Sequence, residues 1–281
     1  MRKAKLLNMM GKIIRVLVLL FHLLIVVLPL YWITITSFKT TPEIINAQHL
    51  TYWPQEFTLE NYLQLFELFD YGQLLKNSVI VSLLTAFFVT FLAVLGGYGL
   101  ARYQFKSKTL IVLFFLITQM IPGILVMIPL YIVLSKLGLI DTKMALFIYY
   151  VAINSPFCTI MMRSFFERIP VALEEAALID GCNKLKSLTR VVLPIMLSGI
   201  IAVFAFAFIG AWNELIAGTI FTSTTNNWTI PVGLKNLMGK NNVQWGMLMA
   251  GGIMGLLPTA VLFMIMQKFI VEGLTAGSVK E

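Results

Sequence analysis

The sequence predicts an all-α membrane protein with six transmembrane helices and both termini in the cytoplasm, and three observations carry that expectation. The first is composition: 59% of the 281 residues are apolar and only 12% charged, with a mean hydropathy of +0.87. A soluble domain of this length needs far more polar surface. The second is periodicity of another kind, apolar windows near ~20 residues that recur along the chain, the length that crosses a bilayer core. The third is where the basic residues fall, because Lys and Arg accumulate on the cytoplasmic side of membrane proteins.

The six windows cover approximately 14–36, 77–100, 109–134, 143–163, 194–222 and 248–270. The first follows a basic N-terminus, MRKAKLLNMMGKIIR, which superficially resembles a secretory signal. Its apolar run is too long for a signal core and no small-residue cleavage site follows, so it is expected to remain as a span. The fourth is the weakest, since Asn154-Ser155-Pro156 interrupts it. Alternating the loops puts Arg2, Lys3, Lys5, Lys12, Arg15, Arg102, Lys106, Lys108, Arg163, Arg168, Lys184, Lys186, Arg190, Lys268 and Lys280 on one side. Only Lys39, Lys76, Lys136, Lys143, Lys235 and Lys240 fall on the other. Fifteen against six places both termini inside. The net charge of +8 thus follows topology and does not indicate nucleic acid.

The outer segment 37–73 is acidic, and Thr58 is placed to cap a short helix from Leu59 with Tyr62, Leu65 and Phe66 on one face. Pro122, Pro129, Pro156 and Pro258 are expected to interrupt helices, and Gly96, Gly97, Gly251 and Gly255 to allow close helix packing. Cys158 and Cys182 stand too far apart in depth for a disulfide, and two thiols make no zinc site.

Catalytic motifs are missing. Neither Gly11-Lys12 nor Gly239-Lys240 has the glycine spacing or hydroxyl residue of a phosphate-binding loop, and no H-E-x-x-H or G-x-S-x-G occurs. No cofactor is expected. His22 within the first window reads as an imidazole bonded to a neighbouring helix. Glu214, in GAWNELIAG, is costlier to bury and serves either as a pathway contact or as a structural bond. Gln119, Asn154 and Asn213 are further polar side chains at membrane depth, suited either to hydrogen-bonding a hydroxylated solute or to joining helices.

The segment between the fourth and fifth windows is more specific. Pro170 suits the first turn of a helix over 171–180, VALEEAALID, with Gly181 as a left-handed terminator. Asn183 then caps a second helix with Leu185, Leu188 and Val192 on one stripe, and Pro194 opens the fifth window. Val171, Leu173, Ala176, Ala177, Leu178 and Ile179 exceed what one short surface helix buries by itself. They pack against the membrane surface or the inner ends of the spans, or dock into a groove on a soluble partner.

Glu175-Ala176-Ala177, three residues, Gly181, nine residues and Val191-Val192-Leu193-Pro194 resemble the EAA loop, E-A-A-x3-G-x9-I-x-L-P, of binding-protein-dependent ABC importer permeases. Valine stands in place of the isoleucine, and Cys182 where alanine is usual. FTLENY (57–62), GGYGLARYQFKSK (96–108), SFFERIP (164–170) and GAWNEL (210–215) are similar to carbohydrate-importer permeases of the maltose-transporter second-subunit type. Ser198 departs from a proline frequent in that group.

The resemblance implies a type I importer permease domain over 74–271, preceded by a first helix (1–36) and an outer loop (37–73) and followed by a cytoplasmic tail (272–281). It implies a coupling loop over 164–194 seated in a separate ATPase subunit. Glu175 or Glu174 would pair with a partner arginine, Ala176, Ala177 and Leu178 would form the packed face, Gly181 the turn, and Leu193-Pro194 the motif's end. The implied partners are a second permease, a dimer of ATP-binding subunits and an extracytoplasmic sugar-binding protein, in a bacterial or archaeal plasma membrane. The alternative within the family is a permease for glycerol-phosphate or another polar solute; an ion-coupled carrier and an integral membrane enzyme or assembly scaffold are the rival classes.

Overall fold

The computed structural model describes residues 2–46, 48–239 and 243–275; Lys240, Lys280 and residues 276–281 of the expected tail lie outside them. Regular structure among these residues is helical apart from one antiparallel bridge, Met238–Val243. In chain order the helices are α1 (Arg2–Ser37), α2 (Thr41–Ile45), α3 (Glu60–Glu67), α4 (Tyr71–Arg102), α5 (Lys108–Met120), α6 (Gly123–Lys136) and α7 (Lys143–Glu167). They continue as α8 (Ala172–Ile179), α9 (Lys184–Ser187), α10 (Leu193–Ile195), α11 (Leu197–Trp212), α12 (Ile216–Phe221), α13 (Ile230–Asn236) and α14 (Trp245–Thr275). A π-helical turn, Leu188–Val192, joins α9 to α10.

Among the described residues four helical stretches are long and apolar enough to cross a membrane: Met9–Ser37, Tyr71–Arg102, Lys143–Glu167 and Trp245–Gln267. Two bent pairs raise the number to six if each counts as one span. The expected continuous span 109–134 is in fact broken, with α5 and α6 at 97°. Ile121 is extended (φ −80°, ψ 120°) because the ring of Pro122 disfavours helical backbone in the residue before it. The expected span 194–222 is likewise corrected. It bends by 78° after Ile195, begins as a long helix only at Leu197, and stops at Trp212 before α12.

Proline acts differently elsewhere. Pro129, Pro156 and Pro258 were expected to interrupt helices but lie inside α6, α7 and α14. In α7 the turn before Pro156 carries its own donors: Asn154 Nδ2 bonds Tyr150 O at 2.7 Å and Ser155 Oγ bonds Val151 O at 2.6 Å.

The chain forms two compact units, Met1–Tyr71 with Leu234–Leu256, and Gly72–Gly233 with Leu257–Glu281. In the first, Asn61 Nδ2 donates to the carbonyls of Ser37 (2.9 Å) and Lys39 (2.8 Å), fixing α3 to the end of α1. Thr58 Oγ1 accepts the Glu60 amide at 3.0 Å, but α3 begins at Glu60 with Leu59 at its N-cap position and no side-chain cap, which corrects the expected Thr58 cap. The buried face of α3 is Asn61 and Leu65, whereas Phe66 is exposed, correcting the Tyr62–Leu65–Phe66 assignment. His22 is exposed and bonds Val18 O of its own helix rather than a neighbour.

In the second unit, Val81, Met127, Leu134, Leu146, Tyr149, Tyr150 and Phe221 form a buried cluster. Helices α4 and α7 meet at glycine. A Cβ on Gly97 would lie 2.9 Å from the backbone nitrogen of Arg163, and one on Gly96 would lie 2.9 Å from Thr159 Cγ2. Asp141, with φ +61°, accepts the amides of Ser223 (2.8 Å) and Thr224 (3.0 Å). Burial alone would raise its carboxyl pKa, but these amides and the Thr224 and Asn227 side chains hold it below the usual carboxylate value.

Candidate functional site

The segment after α7 folds from local signals. Glu174 and Glu175 stand in the first turn of α8, where the helix dipole favours acids. The helix begins at Ala172, so Pro170 precedes it rather than standing in its first turn. Gly181 takes φ +84° and ends it, as only glycine does without penalty. The Gly181 amide donates to Leu178 O (3.1 Å) and the Cys182 amide to Ala177 O (3.0 Å), the paired bonds of a Schellman terminus. Asn183 then caps α9 as expected, its side chain accepting the Lys186 amide at 2.8 Å. Leu188 and Val192 are buried across the π turn but Leu185 is exposed, so the expected stripe holds only over its second half. Pro194 belongs to the short α10 and does not open a continuous fifth span.

Adjacent residues on a helix point about 100° apart, and here that separates the two glutamates. Glu174 turns inward and is 8% exposed, while Glu175 faces out. The Glu174 carboxylate receives Arg102 Nε at 2.5 Å and the Tyr98 hydroxyl at 2.8 Å. Arg102 also donates through Nη2 to Ile169 O at 2.9 Å. The end of α4 is thereby bonded both to α8 and to the backbone leading into it. Sequence reasoning missed Arg102 and Tyr98, counting the arginine only as topological charge; its usable signal was a cation closing a span and two consecutive acids on one helix.

The expected packed face of Ala176, Ala177 and Leu178 divides too. Ala177 is buried within the chain, whereas Ala176 and Leu178 are exposed together with Val171, Leu173 and Ile179. The outward face of α8 is thus apolar around one free carboxylate, Glu175. A recess of 310 Å³ lies beside it, lined in part by Tyr98, Arg102, Glu175, Leu178, Lys184 and Ser187. Leu193 is half-buried and Pro194 exposed, both just before the 78° bend.

The four polar residues singled out at membrane depth do not form one site. Glu214, one residue before the N-cap Leu215 of α12, covers the start of that helix, its carboxylate accepting the amides of Ile216 (3.0 Å), Ala217 (2.9 Å) and Gly218 (3.3 Å) and the Tyr150 hydroxyl (3.2 Å). Asn154 is buried one turn beyond Tyr150, and its Oδ1 lies 2.8 Å from where a Cβ on Gly210 would stand. These two share a neighbourhood. Asn213 is exposed at the end of α11, and Gln119 is exposed near the end of α5, outside that group. Among the described residues no group of three or more His, Cys, Asp or Glu is arranged to hold a metal.

Residues 92–275 match the family described as the binding-protein-dependent transport system inner membrane component. The chain belongs to this family. It is 38% identical over 92% of its length to the inner membrane ABC transporter permease protein YcjP of Escherichia coli (strain K12), covering 92% of that protein. It is 32% identical to the trehalose/maltose transport system permease protein MalG of Thermococcus litoralis, covering 92% of each chain. Among solved structures, a chain of a bacterial ABC transporter that imports the acidic polysaccharide alginate superposes with a TM-score of 0.79. That match covers 92% of this permease and 96% of the other chain at 20% identity, and so shows a shared fold.

Proposed function

We propose that this permease forms half of the translocation pathway of an ATP-driven carbohydrate importer, fed by an extracytoplasmic solute-binding protein. Family membership supports the importer reading, and a relative that carries trehalose and maltose supports a sugar as cargo. In this reading the pair α5–α6 counts as one span and the segment from Pro194 through α11 as another, giving six with the four long helices, and the basic asymmetry puts both ends in the cytoplasm. The chain is organised as a first helix (1–36), an outer loop (37–73), the permease domain (74–271) and a tail (272–281).

Energy enters through α8 from separate ATP-binding subunits, and the chain carries neither an ATPase site nor a cofactor. The observation that carries this reading is the outward face of α8, where Glu175 stands among exposed Ala176, Leu178 and Ile179. A free carboxylate ringed by apolar side chains suits a groove that offers a cation and apolar walls. Ala177, Gly181, Leu193 and Pro194 shape that helix and its exit, and Glu174 holds it from behind. Gln119, Asn154, Asn213 and Glu214 remain the candidates for the pathway, with Asn154 and Glu214 fixed by neighbours and Asn213 and Gln119 free to meet a solute.

The test is reconstitution in liposomes with the second permease, the ATP-binding subunits and the binding protein. Radiolabelled trehalose, maltose, lactose and glycerol 3-phosphate are supplied in turn. Uptake of a sugar that requires both ATP and the binding protein is expected. Uptake by the isolated chain driven by an ion gradient, or uptake of glycerol 3-phosphate alone, would overturn the reading.

A further inference from the structure

We infer that Arg102 is a positioning residue that makes α8 and the end of α4 one rigid lever, so that force applied at Glu175 is delivered to a membrane span. The inference rests on the reading that α8 docks an ATP-binding subunit. A docked helix moves a bundle only if something stiff joins the two. The direct chain connection runs backwards from α8 through Pro170 and Ile169 to α7 and reaches α4 only through packing.

Arg102 supplies a shorter route. One guanidinium binds the Glu174 carboxylate at 2.5 Å and the Ile169 carbonyl at 2.9 Å, so it holds both the helix and its entry strap. Tyr98, one turn earlier on α4, holds the second carboxylate oxygen at 2.8 Å, which stops the acid from swivelling. Both charged side chains are only 10% exposed, which limits screening by water. A planar guanidinium bound at two points fixes an angle as well as a distance. Directly behind this joint, Gly96 and Gly97 bring α4 into close contact with α7, so the lever's base is packed too. The two consecutive acids therefore divide the work, Glu175 facing the partner and Glu174 fastening the helix that presents it.

The test uses the assembled complex of both permeases with the ATP-binding subunits, spin-labelled at the native Cys182, just beyond α8, and at Leu95→Cys on the exposed side of α4. Distances are measured without nucleotide and after trapping with ATP and vanadate. With Arg102 present, one narrow distance should persist in both states. In Arg102→Gln the distribution should broaden about twofold and shift on trapping, while the ATP-binding subunit still co-purifies because the outward face of α8 is untouched. The swap Arg102→Glu/Glu174→Arg keeps the ion pair but cannot donate to Ile169 O, so it should narrow the distance only part of the way.

A distance that shifts on trapping in the unaltered complex, or an Arg102→Gln complex indistinguishable from it, overturns the inference. So does loss of the chain from the membrane in both Arg102→Gln and the swap, which would make the pair a folding contact only. Glu175→Lys separates the two levels. If that variant still captures the ATP-binding subunit normally, the docking reading fails; if it does not, but Arg102→Gln behaves as unaltered, only the lever fails.

Discussion

Two part-buried carboxylates, Glu174 in α8 and Glu214 before α12, look alike in the sequence and do opposite jobs. The Glu214 carboxylate accepts the amides of Ile216, Ala217 and Gly218 in the first turn of α12, with one side-chain bond to Tyr150. Its work is local, since it starts a helix where α11 has stopped. Glu174 bonds no amide of its own helix among the contacts described above and instead binds two side chains from α4, 72 and 76 positions earlier. A carboxylate tied to neighbouring amides sets local geometry; one tied to a distant arginine joins elements that can move relative to one another.

The largest expected effect follows from breaking the second kind of bond. Glu174→Ala leaves the Arg102 guanidinium buried without its anion, a change that costs about 3–5 kcal/mol. Thermal unfolding of the detergent-solubilised complex should show a large loss of stability. Glu214→Ala should cost less, about 1–2 kcal/mol, because amides at a helix start find water or each other more readily than a buried cation finds an anion. If Glu214→Ala proves the more damaging, the contrast between the two acids is wrong.

Asn183→Ala removes an exposed cap of α9 and should cost about 1 kcal/mol or less by the same assay. The smallest effect concerns Asp141. Its folded-state pKa is depressed, so its stabilising bonds to Ser223 and Thr224 are fully present above its unfolded value near ~4 and are lost as pH falls through the folded value. Between neutral pH and pH ~5, Asp141→Asn should therefore differ from the parent by a constant amount. Below ~4 the difference should shrink, read from unfolding midpoints across that range.

What the sequence made legible was chiefly local. Gly181 and Asn183 were identifiable because a positive φ and a helix cap depend on one residue and its immediate neighbours. The apolar windows were legible because their length answers to the bilayer. Direction within a window was not. Periodicity reports that 109–134 is apolar and helical, and says nothing of a 97° turn between α5 and α6. Pro122 and Pro156 look equivalent on paper, yet the first follows the end of α5 and the second lies inside a continuous α7.

The division between Glu174 and Glu175 was illegible for a different reason. Which acid turns inward depends on where Arg102 ends α4, a long-range relation that no short pattern contains. The same limit applies to the membrane-depth polar residues. Composition marks Gln119, Asn154, Asn213 and Glu214 alike, and only packing separates the bonded pair from the exposed pair.

The central claim, that energy enters through the outward face of α8, is tested most directly by the ratio of sugar taken up to ATP hydrolysed in the reconstituted importer carrying Glu175→Lys. The expected result is a ratio that falls at least about tenfold, as for loss of a charge pair at a docking centre, while the chain still inserts and unfolds at its normal temperature. An unchanged ratio in a fully assembled complex would contradict it.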